Sequence, residues 1–562
     1  MKLVTLRSAG RWCGRRDSNP HASRRWNLNP LRLPIPPRPQ LAPAQERASG
    51  SYRQAPLYSN GSAGMQQKKW GKVCSRRPQP SLAPKSRSIS ALAGGSPHTY
   101  KEVRNRKDPM PITRRALLAS ALLTPVPARA RLREPTVLDL RPGKQRLAPD
   151  PTPKTDVWAI NGQPIPPVFR AKQGKEVSFR LINNLSQPTA LHWQGLRIAN
   201  AMDGAVGLTQ APVAPGEAMD IRFTPPDAGT YWCRPSVFPQ AAEQKSRGVY
   251  ALLIVDGPND PLVDHDLVAV IDDWRLDEGG QIRGAFPSPA DMVGEARTGP
   301  LITVNGRAMP QFVTAAPGAR IRLRILNACS ARFMGLGFEG LRPLVVGVDG
   351  QSCEPFEPAR MTLPSGPGSR FDVVFDMPLE VGVAPALTLR GAGLLSDSAG
   401  PPARTLVAFK TEGEPLQARG PILSQQNPAL PAIIKLQTAK RLDLLIESGK
   451  SVDPLRAWTF NGVAFHGSDT PALFKVKRGQ PVTLGFLNKT VVAHTAHVHG
   501  HAMRVLHLLD DGWEPYWRDS VIVPPGGTVR IAFVADNPGK WLIESTIIDY
   551  AMSGLTAWFE VE

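Results

Sequence analysis

Histidines gather in one short stretch of the chain, where their spacing suits metal binding. The stretch reads His494-Thr-Ala-His497-Val-His499-Gly-His501. Residues two apart in a β-strand share a face, so His497 and His499 would present their rings on the same side. Neutral imidazole nitrogens are ligands for Cu(II), Zn and Fe. The spacing therefore leaves two interpretations open, histidines that are packed and hydrogen-bonded in the interior or a metal-binding strand.

The elements that must position these histidines are predicted to be β-strands. From residue 131 onward, short runs of alternating apolar residues recur between Gly, Pro, Asn and Asp turns, as in 176–182, 321–326 and 528–534. Such alternation is typical of strands with one buried face. No long segment of helical period interrupts it. The pattern predicts an all-β chain built from β-sandwich domains.

The chain also repeats itself loosely. An Asn-Gly pair, a strand and a later strand ending in Asn recur at 161–183, 305–327 and 461–488. Three copies of one supersecondary plan predict three similar domains, with a Pro-rich linker before the third. The predicted domains span residues 131–257, 258–415 and 430–562.

Positive charge is concentrated in the first 130 residues. The formal net charge is +21, and residues 1–130 contain 25 Lys and Arg against four acidic residues. The remainder, 131–562, contains 43 basic and 43 acidic residues. The predicted domains are therefore electrically balanced, which argues against nucleic-acid binding.

Residues 110–130 have the order of an export signal. Arg114-Arg115 precedes a short apolar run, and Ala128-Arg-Ala130 offers small residues for signal cleavage. The run is shorter than the roughly 20 residues of a membrane span. We therefore predict twin-arginine export to the periplasm with no membrane span after signal removal, an amphipathic first helix being the alternative. Residues 1–109 are expected to be a non-native upstream extension or a disordered arm.

The predicted domains contain three cysteines, Cys233, Cys329 and Cys353. An odd number gives no disulfide framework, and a bridge between Cys329 and Cys353 stays open. We expect Cys233 to be a small packed residue rather than a ligand.

Four segments resemble motifs of the laccase-type multicopper oxidases: 191–204, 224–236, 494–501 and 517–541. The resemblance extends over 131–562 and implies three cupredoxin-like Greek-key β-sandwich domains, with copper bound between the first and third. It also implies which family site residues remain in this chain. They are the copper ligands His192, His494, His497 and His499 and the nearby acids Asp203 and Asp549.

Other positions depart from the family pattern. Those where the family has copper-ligating histidines are Gln194, Arg234, Ser236, Glu544, Thr546 and Tyr550. Ser545 stands at the position of the blue-copper cysteine, and a serine hydroxyl cannot replace a thiolate as a copper ligand. Laccase-type activity is therefore not expected. Arg234 is expected to pair with Glu544 or Asp549.

Two interpretations of function remain open. The first is a non-catalytic periplasmic binding or scaffold protein, similar to the copper-free family member that protects the bacterial division machinery, with envelope or division proteins as partners. The second is a copper-binding oxidoreductase with one residual mononuclear site, built from His192, His497, His499 and Glu544. In either case we expect a monomer.

Overall fold

β-Strands dominate the computed structural model and confirm the all-β prediction. The structure describes residues 134–162, 166–286, 288–390, 403–507 and 512–562. The predicted upstream extension and export signal lie outside these ranges. None of the helices in the described ranges is long and apolar enough to cross a membrane.

The first domain is a sandwich of two four-stranded sheets. In chain order its strands are β1 (Thr136–Gln145), β2 (Thr155–Ile160), β3 (Val168–Lys172), β4 (Val177–Asn183), β5 (Leu191–Gln194), β6 (Ala218–Phe223), β7 (Gly229–Pro235) and β8 (Ala251–Asp256). One sheet has the order β2-β1-β4-β6 and the other β3-β8-β7-β5. Leu138 and Leu181 of the first sheet pack with Trp193 and Leu253 of the second in one buried core.

The second domain is larger. Its strands are β9 (His265–Trp274), β10 (Leu301–Val304), β11 (Arg307–Ala308), β12 (Gln311–Ala315), β13 (Arg320–Asn327), β14 (Met334–Glu339), β15 (Leu344–Val348), β16 (Gln351–Phe356), β17 (Thr362–Ser365), β18 (Arg370–Asp376), β19 (Ala386–Arg390) and β20 (Arg404–Thr411). They form a sheet ordered β11-β10-β9-β13-β18-β15-β16 and another ordered β12-β20-β19-β14-β17. Ile321 and Phe375 of the first sheet share a core with Leu336 and Phe409 of the second.

The third domain pairs two five-stranded sheets. Its strands are β21 (Lys440–Ser448), β22 (Trp458–Phe460), β23 (Lys475–Val476), β24 (Gln480–Asn488), β25 (His494–Val498), β26 (Arg504–Leu506), β27 (Ser520–Val523), β28 (Thr528–Ala535), β29 (Gly539–Glu544) and β30 (Thr556–Val561). The sheets are ordered β22-β21-β24-β28-β26 and β23-β30-β29-β25-β27. Leu484 and Ile531 pack against Ile543 and Phe559 between them.

Helical elements are short. Single 3-10 turns span Asn200–Met202, Ala359–Met361, Leu436–Thr438 and Pro454–Arg456. In the part of the chain that the structure describes, the α-helices are α1 (Ala241–Ser246), α2 (Pro289–Val293) and α3 (Ile548–Ala551), one from each domain. Ala241, Met292 and Ile548 lie in one buried cluster, so the three helices meet where the domains join.

The Asn-Gly pairs of the sequence repeat have the same role in each domain. Asn161, Asn305 and Asn461 all have a positive φ, between 51° and 60°, as does the glycine that follows each. Each asparagine side chain accepts a hydrogen bond from the backbone of a neighbouring strand, at Asp139, Val270 and Leu445. Asparagine and glycine tolerate this left-handed backbone, so the turn chemistry of one domain recurs in the other two.

Candidate metal centre

Two antiparallel strand pairs, one in domain 1 and one in domain 3, carry the candidate residues. In domain 1, His192 on β5 lies opposite Arg234 on β7. In domain 3, His497 on β25 lies opposite Glu544 on β29. The ring of His192 contacts the ring of His497 across the domain interface. We call His192, His497, His499, Asp203, Glu544 and Arg234 the histidine cluster.

The two rings of His192 and His497 point their Nε2 atoms at each other, 3.2 Å apart. Nδ1 of His192 lies 3.0 Å from the carbonyl oxygen of Asp203, and Nδ1 of His497 lies 2.7 Å from that of Asp519. A carbonyl oxygen only accepts, so both Nδ1 atoms carry the proton. In neutral rings, both Nε2 atoms then present lone pairs to each other.

Facing lone pairs are repulsive unless a cation lies between them. A proton on one ring would relieve the repulsion, and so would a metal ion bound to both. Their separation suits two ligands of one tetrahedral ion, whose bonds to imidazole nitrogen are about 2.0 Å long. The pair His192 and His497 therefore fits a single metal ion.

His499 is engaged differently. Its Nδ1 lies 2.9 Å from Asp203 Oδ2, and its Nε2 lies 3.1 Å from Glu544 Oε1, off the line of a good hydrogen bond. Burial alone would lower the pKa of His499, but Asp203 and Glu544 outweigh it and raise the pKa to about 9. His499 is thus an imidazolium at neutral pH, and its nitrogens face carboxylates rather than a metal.

The charge on His499 also affects its neighbour. The rings of His192 and His499 stack with centroids 3.7 Å apart. Burial, followed by the charge of His499, lowers the pKa of His192 to about 4. His192 is therefore neutral at pH 7 and keeps its Nε2 lone pair. The three histidines can bring one ligand atom each within 4.8 Å of one another. Of these three, only His192 and His497 have a ring nitrogen that does not face a carboxylate or carbonyl oxygen in the described contacts.

Arg234 adds a buried guanidinium to the cluster. Its Nη2 donates to Glu544 Oε1, and both side chains are almost fully buried. Its Nε lies 3.3 Å from Gln194 Oε1. Burial opposes ionisation of Glu544, but Arg234 and His499 outweigh it and hold its pKa well below the usual range. The predicted pairing of Arg234 with Glu544 is present. The Glu544 carboxylate is thus paired with two cationic side chains, those of Arg234 and His499.

His494 lies apart from the histidine cluster. Three positions separate it from His497 on β25, so its ring projects from the opposite face. The ring packs against Trp458 and Tyr550 with centroids 4.8 and 5.0 Å away, and those two rings are 4.7 Å apart. We call these three residues the aromatic cluster. Nε2 of His494 contacts Thr490 Oγ1 at 3.0 Å, while Nδ1 has no hydrogen-bond partner among the described residues.

Ser545, at the position of the family's blue-copper cysteine, directly follows β29. Its hydroxyl lies 3.2 Å from Thr495 Oγ1 and accepts a hydrogen bond from the amide of Ile547. Burial, with no opposing charge, lowers the pKa of His494 to about 3. The described contacts of the His494 side chain are with two aromatic rings and the Thr490 hydroxyl, and none of them is with a thiolate or a second imidazole, the ligands of a soft metal site.

The remaining predicted residues lie in other parts of the interior. Asp549 in α3 accepts a hydrogen bond from the amide of Arg297 at 2.9 Å, and burial raises its pKa to about 6. It contacts neither Arg234 nor Glu544 in any described hydrogen bond. Cys233 is buried in the domain 1 core. Cys329 and Cys353 are free and buried in the domain 2 core, so the bridge left open by the sequence does not form.

Two residues of the site were missed by sequence reasoning. Asp519 contacts His497, and Arg370 of domain 2 forms a buried ion pair with Asp519. Asp519 lies in the 517–541 segment quoted for the family resemblance, which was a usable signal. Arg370 lies on a strand of the domain that contributes no histidine to the cluster, and nothing in its local sequence distinguished it.

Comparisons with known proteins agree with this architecture. Sequence profiles described as multicopper oxidase match residues 143–260 and 437–562. The chain is 29% identical to multicopper oxidase MmcO of Mycobacterium tuberculosis over 505 residues, 84% of this chain and 90% of that protein. It is 25% identical to the iron transport multicopper oxidase FET3 of Gibberella zeae, over 78% of this chain and 77% of that protein.

Solved structures give the same result. A multi-copper oxidase from Pseudomonas thermotolerans superposes with a TM-score of 0.66 at 28% identity, covering 76% of this chain and 99% of the other. Lac15, from a marine microbial metagenome, superposes with a TM-score of 0.60 at 28% identity, covering 76% of this chain and all of the other. The sequence matches and the three two-sheet sandwiches together show that this chain belongs to the multicopper oxidase family.

Proposed function

We propose that this protein is a non-catalytic member of the multicopper oxidase family that acts as a binding protein of the cell envelope. The observation that carries the proposal is the buried ion pair of Arg234 and Glu544 beside the imidazolium of His499. Arginine stays charged at any physiological pH. A centre of several copper ions would have to form next to this guanidinium and the imidazolium of His499, in a buried site where charge repulsion is strong.

The aromatic cluster supports the same proposal. In the family that this chain resembles, electron transfer depends on the thiolate of the blue-copper cysteine. This chain has the hydroxyl of Ser545 at that position. Tyr550 donates its hydroxyl to the carbonyl oxygen of Gly294 and packs on His494. The three rings pack with centroids 4.7 to 5.0 Å apart, and no thiolate contacts His494 among the described residues, so a blue copper ion lacks its soft ligand here.

An oxidation assay tests the loss of catalysis. Purified protein covering 131–562 is incubated with Cu²⁺, freed of unbound metal and mixed with a phenolic laccase dye in air. The proposal predicts no turnover above that of a copper-treated His192→Ala/His497→Ala variant. Repeated turnover by the unmodified chain that the double variant lacks would overturn it.

A second candidate function, a mononuclear metalloprotein, is favoured by one observation, the convergence of the His192 and His497 Nε2 atoms. A bound copper ion would supply one-electron redox chemistry there. The chain's own residues would hold the two rings through the carbonyl oxygens of Asp203 and Asp519. Metal analysis should find about one ion per chain. The ion should be lost in His192→Ala and in His497→Ala and retained in His494→Ala.

The envelope location rests on the leader pattern of Arg114-Arg115 and Ala128-Arg-Ala130. The resemblance to a copper-free division protein suggests that the partner belongs to the envelope or division machinery. Cell fractionation with N-terminal sequencing tests export, and replacement of both arginines by lysine should retain the protein in the cytoplasm. Normal cell length of a deletion strain under envelope stress would count against a division role.

A further inference from the structure

Domain 2 reaches the histidine cluster through one buried arginine. Arg370 opens β18 and is fully buried. Its guanidinium contacts all three domains. Nε donates to the carbonyl oxygen of Thr230 in domain 1 at 3.2 Å, Nη2 donates to that of Asp349 in domain 2 at 2.7 Å, and Nη2 also pairs with Asp519 Oδ2 of domain 3.

Asp519 transmits this contact to the cluster. It directly precedes β27, and its backbone carbonyl oxygen accepts the Nδ1–H of His497 at 2.7 Å. Its Oδ1 lies 3.4 Å from the same Nδ1 and 3.3 Å from Nε2 of Gln194. The position of Asp519 therefore sets the direction in which Nε2 of His497 points.

Without Arg370, two buried carboxylates would face each other. Asp349 Oδ2 accepts hydrogen bonds from the amides of Asp519 and Ser520 and from the Ser520 hydroxyl. Burial and the nearby Asp519 raise the pKa of Asp349. Nη1 of Arg370 lies 3.9 Å from Asp349 Oδ1 and 3.3 Å from Asp519 Oδ1, so the guanidinium contacts both carboxylates. The guanidinium thus separates and neutralises the pair.

Domain 1 is shaped around the same ion pair. Gly195, immediately after β5, has a φ of +88°, and a Cβ at this position would collide with both Asp519 Oδ2 and Arg370 Nη2. The strand that carries His192 therefore ends in a glycine that lets the ion pair approach. The same contact fixes the two histidine-bearing strands relative to each other.

We propose that Arg370 is a positioning residue, which from domain 2 fixes Asp519 and, through it, the orientation of His497 toward His192. The measurement of metal affinity in this proposal rests on the single-ion site of His192 and His497 proposed above. Groups that orient a ligand typically change metal affinity 10- to 100-fold when removed, because the ring must be reordered on binding.

The variants are Arg370→Gln, Asp519→Asn and the combination of the two. The double variant removes the charges of Arg370 and Asp519 together, so it is expected to fold even where Arg370→Gln alone is too unstable. Arg322→Gln is the matched control. Arg322 is also buried and lies 2.6 Å from Asp372, but none of its described contacts reaches Asp519 or the histidine cluster.

Cu²⁺ titrations followed by electron paramagnetic resonance give the affinities. We expect the dissociation constant to rise about 10- to 100-fold in Arg370→Gln and no further in the double variant, because both residues act through one contact. Arg322→Gln should lower the melting temperature and leave the affinity unchanged. An unchanged affinity in folded Arg370→Gln, or an equal loss in Arg322→Gln, would overturn the proposal.

A crystal structure of the metal-free double variant decides the case independently of metal binding. The proposal predicts that His497 rotates and that the separation of the two Nε2 atoms departs from 3.2 Å. An unchanged ring would overturn it. If the unmodified protein takes up no Cu²⁺, the mononuclear candidate function fails, while this structure still confirms or refutes the role of Arg370.

Discussion

The histidine cluster and the aromatic cluster both stand where the family resemblance predicts copper, yet they are built on opposite principles. In the first, Arg234 and His499 are paired with Glu544 and Asp203 across the interface of domains 1 and 3. In the second, Trp458, His494 and Tyr550 pack ring on ring inside domain 3. Paired charges dominate the interface, while aromatic rings fill the corresponding part of the domain 3 core.

The difference shows how each location constrains its residues. Buried charges at the interface remain because each has a partner of opposite sign, and removing one leaves another unpaired. Within the domain 3 core, the ring of Tyr550 fills the volume that a histidine ligand has in the family. Because this ring is uncharged, it needs no partner of opposite charge. The two clusters should therefore respond in opposite ways to substitution and to pH.

The largest effect is expected from Arg234→Ala. This change leaves Glu544 buried without its arginine and should lower the free energy of unfolding by about 3–5 kcal/mol. Urea denaturation followed by tryptophan fluorescence measures it. Arg180→Ala is the control, because the pair of Arg180 and Asp220 is exposed and should contribute about 1 kcal/mol or less. Equal effects of the two variants would mean that the buried charges of the histidine cluster do not depend on their partners more than an exposed ion pair does.

Replacing one histidine from each cluster by phenylalanine compares them directly. His499→Phe should cost about 2–3 kcal/mol, since Asp203 and Glu544 lose a charged partner. His494→Phe should stay within about 1 kcal/mol of the unmodified protein, because it replaces a buried Nδ1 without a described partner by carbon. A larger loss from His494→Phe would mean that the aromatic cluster depends on this imidazole.

The pH dependence should have opposite signs. The pKa of His499 is raised to about 9. Its contribution to the free energy of unfolding is therefore complete below about pH 6.5 and is lost as pH rises toward 9. The pKa of His494 is lowered to about 3, so protonation favours the unfolded chain as pH falls from 6.5 toward 3. As pH rises above 7, the melting temperature of His499→Phe should fall less than that of the unmodified protein. As pH falls below 6, the melting temperature of His494→Phe should fall less than that of the unmodified protein.

The smallest effect is expected from Ser545→Cys. A thiol of similar size should shift stability by less than about 1 kcal/mol. It should not produce a blue copper band, because Tyr550 still occupies a position beside His494 and supplies no imidazole. Absorption spectra after addition of Cu²⁺ check this, and an intense band in Ser545→Cys alone would contradict the account of the aromatic cluster.

Sequence reasoning predicted the local geometry of the site better than its wider connections. Strand period placed His497 and His499 on one face, and the pairing of β25 with β29 brought Glu544 to His499 as expected. The same period places His494 on the opposite face, which separates the two clusters. Local alternation carries this information because strand neighbours follow from register alone.

The contact between Arg370 and Asp519 could not be predicted in that way. The two residues are 149 positions apart and belong to different domains. Their meeting depends on how three sandwiches dock, and on Gly195 leaving the approach open. The sequence likewise gave no reason to expect that both Nδ1 atoms of the His192 and His497 pair would be fixed by carbonyl oxygens.

Copper stoichiometry tests the central claim most directly. Purified 131–562 is loaded with excess Cu²⁺ under reducing and then oxidising conditions, desalted, and analysed by mass spectrometry for metal and by absorption spectroscopy. We predict at most one copper ion per chain and no intense band near about 600 nm, where a copper–thiolate centre would absorb. Three or more copper ions per chain together with that band would contradict the account.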